Sequence, residues 1–96
     1  VSGVEPPKPP RYEFADELGF ADSRAALGLS DSEIDEHMWA IENMLLDDPI
    51  LWSAPAPDDP DVRVAVSSAT PHSPNPLRIA FWIDGTIIRR IKVGRR

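Results

Sequence analysis

The sequence predicts an α+β domain, a small antiparallel sheet with helices packed on one face. Three observations carry this expectation. One strongly amphipathic helix is written over residues 31–47. Two apolar-rich stretches flank an Asp-Gly turn signal near the C-terminal end. The 42% apolar content of the 96-residue chain suffices for one modest core and a single domain.

The helix is the clearest element. Ser30 and Glu33 form an S-x-x-E capping box, which satisfies orphan N–H groups at a helix start. Asp31, Glu33, Asp35 and Glu36 sit near the positive end of the helix dipole. Ile34, His37, Met38, Ile41, Met44 and Leu45 recur at helical spacing as one apolar stripe, and Pro49 ends the helix. Trp39 and Leu46 lie off that stripe; they either pack under the N-terminal segment or form a docking patch.

Before this helix, residues 1–10 read as a flexible tail, with Pro6, Pro7, Pro9 and Pro10 favouring extended chain, and residues 11–96 as the domain. Residues 11–15 suit a short edge strand, and Asp22–Leu27 a short helix stopped by Gly28. After it, residues 53–61 read as a proline-rich loop. Val62, Val64 and Val66 alternate along a strand, and Pro71, Pro74 and Pro76 enforce a second loop.

Leu77–Ile83 and Thr86–Val93 form the hairpin. A two-residue Asp84-Gly85 loop would mix apolar and basic residues on both faces. A three-residue loop, Ile83-Asp84-Gly85, sorts them better. It places Leu77, Ile79, Phe81, Ile87, Ile91 and Val93 on one face, with Arg89 as the exception. Arg78, Trp82, Thr86, Ile88, Arg90 and Lys92 fall on the other. The first face is the expected core. With its valines inward, the 62–66 strand adds Arg63 to the outer face.

Charge sharpens the expectation. Residues 1–62 carry fifteen Asp/Glu and three Lys/Arg, net −12; residues 63–96 carry one Asp and seven Lys/Arg, net +6. Such a split marks either an interaction surface or two halves that neutralise each other in the fold. An outer face of Arg, Lys and Trp suits phosphate and nucleobases, through bidentate contacts and stacking. It equally suits a solvated sheet face whose charges deter edge aggregation.

Other chemistry is poorly supplied. The absence of cysteine excludes disulfides, thiolate metal sites and cysteine nucleophiles. His72 lies in a proline-rich loop and reads as a solvated residue, and His37 reads as a core-margin histidine. Glu33 and His37 have i, i+4 spacing without further ligands, so no metal site is expected. No phosphate-binding loop, nucleophile elbow or dinucleotide fingerprint is present, and no cofactor is expected. With neither a signal-peptide core in residues 1–10 nor a membrane-length apolar run, the expected location is cytoplasmic.

The C-terminal two thirds resembles a known family. An amphipathic helix ending in Asp-Asp-Pro is followed by Val62-Arg-Val-Ala-Val66, Leu77-Arg-Ile-Ala-Phe-Trp-Ile83 and Ile87-Ile-Arg-Arg-Ile-Lys-Val93, closed by Gly-Arg-Arg96. This order is similar to toxins of the RelE/ParE superfamily of bacterial type II toxin–antitoxin systems. The resemblance implies a first strand, a helix pair and an antiparallel meander whose outer face is functional. Members cut mRNA on the ribosome or poison DNA gyrase, and a cognate antitoxin protein neutralises them. Carried over by position, Arg78, Arg90, Lys92 and Arg95 are the implied functional cations; Arg63 and Trp82 from the strand pattern, and Arg96 at the C-terminal end, complete the candidate binding residues. The chain departs from the pattern in its acidity, in the long loop 68–76 and in lacking a tyrosine after the Arg pair; its one tyrosine is Tyr12. Two functions therefore stand: such a toxin, with or without ribonuclease activity, and a non-enzymatic module that binds nucleic acid or an acidic protein through the same face.

Overall fold

The computed structural model describes residues 11–71 and 73–96. The tail at residues 1–10 and His72 lie outside the described residues. Two helices pack against one face of a five-stranded, mostly antiparallel sheet of order β1-β5-β4-β3-β2. The strands are β1 (Glu13–Asp16), β2 (Ala54–Pro55), β3 (Arg63–Val66), β4 (Leu77–Asp84) and β5 (Ile87–Arg95). The helices are α1 (Phe20–Ala25) and α2 (Asp31–Asp47). The α+β expectation holds. The edge strand of residues 11–15 is β1, which runs parallel to β5 because the helix pair carries the chain back across the sheet.

The bounds of α2 follow from its caps. Ser30 Oγ accepts from Glu33 N at 3.2 Å. The Glu33 carboxylate turns elsewhere and accepts from Asn75 Nδ2 at 3.2 Å, tying the helix start to the loop before β4. Ile34, His37, Met38, Ile41 and Leu45 are buried, as their spacing predicts. They meet Leu77, Ile79, Phe81, Ile88 and Val93 from the sheet, and Phe20 and Leu27 from the α1 segment. His37 Nε2 donates to the Ser73 carbonyl at 3.0 Å, which satisfies the buried ring. α1 is held to β5 by Ser23, whose Oγ accepts from Val93 N at 3.0 Å. Arg24 joins α1 to α2 through Asp35 at 2.7 Å, and that hydrogen bond raises the already high guanidinium pKa.

The hairpin corrects both expected registers. Asp84 pairs with Ile87, so the two-residue loop is Gly85-Thr86, one residue later than the Asp-Gly reading. Gly85 has φ 63°, and among the described residues no non-glycine residue has positive φ, as a type II′ turn with glycine first requires. The register then shifts once. Phe81 pairs with Arg90 and Ala80 with Lys92, leaving Ile91 as an unpaired bulge residue. The bulge restores the parity that the shorter loop would lose. Ile88, Arg90, Val93 and Arg95 thus share the helix-facing side with Leu77, Ile79 and Phe81.

Several face assignments change with it. Ile88, expected outside, is fully buried. Ile87 and Ile91, expected in the core, are half-buried on the outer face, and Arg89 joins them there. β3 is likewise reversed. Arg63 pairs with Phe81 and Ala65 with Ile79, so Ala65 is the core residue and Val64 and Val66 face outward. The expected loop 53–61 contains β2, which pairs antiparallel with Arg63 and Val64 of β3.

Candidate functional site

The basic residues of the C-terminal half separate into two groups. Arg90 lies under the helices rather than on the outer face. Its Nε donates to Asp16 Oδ1 at 2.5 Å and its Nη1 to Glu42 Oε1 at 2.7 Å. Its guanidinium lies 5.1 Å from the Phe14 ring centre and 4.9 Å from that of Phe20. It clamps β1, α1 and α2 onto β5. Arg63 also faces the helix side, contrary to expectation. It donates to Ser53 Oγ at 2.7 Å and to the Ile50 and Ser53 carbonyls at 3.1 Å each, fixing the turn after α2. Arg95 donates to the Leu27 carbonyl at 2.9 Å, and Arg96 to the Ser67 carbonyl at 3.2 Å. These four have the structural partners that long Arg side chains find readily.

The outer face keeps Arg78, Trp82, Arg89 and Lys92. Trp82 and Arg89 form a closed set. Arg89 lies 5.6 Å from the Trp82 ring centre and pairs with Asp84 at 2.9 Å, while Trp82 Nε1 donates to Glu17 Oε1 at 3.0 Å. The expected basic and aromatic stripe is thus partly neutralised at its β1 end.

Arg78 and Lys92 remain. Both are exposed, and among the described residues neither makes an ion pair or a side-chain hydrogen bond. They border a groove of ≈ 520 Å³ whose floor includes Val64, Ala80, Ile91 and Gly94. The bulge at Ile91 places that side chain beside Lys92, and Gly94, paired with Arg78, leaves the floor open. The far wall is the 56–61 loop, closed by Ala56 N donating to the Val62 carbonyl at 2.8 Å and Val62 N to that of Asp59 at 3.1 Å. Asp58 and Asp59 stand on this wall. The arrangement offers two unpaired cations, an apolar floor and two carboxylates. It suits recognition of an anionic group carried on an apolar or planar body.

Arg78 and Lys92 lie on the outer face, as the sequence predicts. The carboxylate wall and the apolar floor were not expected from the sequence. The alternation of Val62, Val64 and Val66 is the local signal for the floor, and its valines face outward rather than inward. Among the described residues, no group of three or more His, Asp or Glu comes together to hold a metal. Among them too, no helix is long and apolar enough to cross a membrane. No family model, curated protein or solved structure matches the chain.

Proposed function

We propose that the chain is a RelE/ParE-like toxin that acts by binding through its outer sheet face, and that a cognate antitoxin neutralises it. The observation that carries this reading is the pair Arg78 and Lys92, unpaired among the described residues beside an open groove. The order of elements agrees with it, since one strand and a helix pair precede an antiparallel meander. Two adjacent cations attract phosphate oxygens, as a ribosomal RNA or gyrase–DNA target requires.

A second reading keeps the same surface. The chain is then a regulatory module that grips a protein segment, and Asp58 and Asp59 favour it. Charges of both signs around one groove complement a mixed-charge polypeptide better than a bare phosphate backbone.

Expression in a bacterial host separates them. The toxin reading expects growth arrest, with loss of translation or gyrase activity, relieved by co-expressing the neighbouring gene. Normal growth at high soluble expression would contradict it and leave the regulatory reading.

A further inference from the structure

A second surface lies along the flank between α2 and β3. Two hollows of ≈ 400 and ≈ 350 Å³ adjoin there through Met44 and Val66. Trp39, Leu51, Trp52 and Val66 line them while 69%, 68%, 46% and 37% exposed. Scattered exposed apolar side chains are ordinary, but a contiguous run of them marks a contact surface.

The groove follows from the fold. The buried stripe of α2 covers the sheet, while the neighbouring row, exposed Ala40 and Met44 at the margin of the core, lines the flank beside Val66. β3 is four residues long and β2 two, so the sheet ends before that row is covered. The turn that supplies Leu51 and Trp52 is held open. Asp48 Oδ1 accepts from Ile50 N and Leu51 N at 3.1 Å each, and Trp52 Nε1 donates to Asp47 Oδ2 at 3.3 Å. A groove already held in shape loses little conformational freedom on binding.

Its rim decides the occupant. Glu36, Asp47 and Asp48 are exposed carboxylates beside it. Among the described residues two cations lie near it, Arg63 with its donors on Ile50 and Ser53 and Arg96 with a donor on the Ser67 carbonyl, so three carboxylates against two guanidinium groups leave the rim net acidic. A symmetric dimer through this face would set these acids against their own copies. We infer that the groove docks a segment of a partner protein with an apolar stripe flanked by Lys or Arg, seated as an amphipathic helix is in a groove. This inference does not rest on the outer-face reading.

The test uses the full chain and two tryptophan-free amphipathic peptides of about eighteen residues. Both carry one leucine stripe; the remaining positions are Lys in one and Glu in the other. The Lys peptide is expected to bind saturably, with a blue shift of tryptophan emission, and the Glu peptide about tenfold more weakly. Trp39→Ser and Leu51→Ser alter exposed side chains and should keep the native circular dichroism while weakening the Lys peptide about tenfold. Arg78→Glu with Lys92→Glu should not weaken it. Non-saturable binding, equal binding of both peptides, or no effect of Trp39→Ser and Leu51→Ser would overturn the inference. Sedimentation showing a dimer that Leu51→Ser dissociates would assign the groove to a second copy and overturn it as well.

Discussion

Ile88→Lys is expected to leave little folded protein, whereas Ile87→Lys folds. Ile88 is fully buried against the α2 stripe and pairs with Ile83. A lysine there places an ammonium in the core without a partner, or displaces the strand, at about 4 kcal/mol. A domain of this size has roughly 5–10 kcal/mol in total. Ile87 is half-buried on the outer face, between Asp84 and Glu13, and a lysine there meets acids and water. Its cost should stay within about 1 kcal/mol. Soluble yield and urea unfolding of the two variants compare them directly. The three-residue loop expected from the sequence demands the reverse order, so this pair tests the Gly85-Thr86 turn and the Ile91 bulge together.

Arg90→Met is expected to cost about 2 kcal/mol, lowering Tm by roughly 10 °C. Arg90 is 15% exposed and serves two carboxylates and two aromatic rings. Methionine keeps much of the packing and removes the charge. Asp16 and Glu42 are then left facing each other's field without the cation. At 46% and 32% exposed they are partly rehydrated, which limits the loss. Arg78→Met, with no partner to orphan among the described residues, should shift stability by no more than about 0.5 kcal/mol. Thermal unfolding followed by circular dichroism measures both. Equal shifts would show that Arg90 is not the clamp its contacts describe.

These two residues also show how much of the fold was legible in the sequence. α2 was readable to its last turn because a helix is specified locally: Ser30 caps it, the stripe repeats within it and Pro49 stops it. β1, expected at residues 11–15, is Glu13–Asp16, and α1, expected at Asp22–Leu27, lies two residues earlier at Phe20–Ala25, because no side chain caps its start and its buried residue is Phe20. The hairpin was readable as a hairpin, but its register was not. The bulge at Ile91 is a property of two paired strands, and no one-strand pattern reports it. The strand pattern marks Arg90 as a surface cation, since its partners come from β1, α1 and α2, up to 74 positions away. Inward valines would leave Arg63 on the outer face, yet here the core position is Ala65. The α2–β3 groove was half visible in Trp39. Leu51 and Trp52 join it through a turn that Asp48 and Arg63 shape together.

The basic C-terminal half therefore divides its labour, with Arg63, Arg90, Arg95 and Arg96 bonded into the fold and Arg78 and Lys92 open to solvent. The most direct test of that division is host growth on expressing the wild-type chain and the Arg78→Glu/Lys92→Glu variant at matched soluble levels. The wild-type chain should arrest growth. The variant should not, while its stability stays within about 0.5 kcal/mol of wild type. Growth arrest of undiminished strength by the variant would contradict the assignment of the outer sheet face.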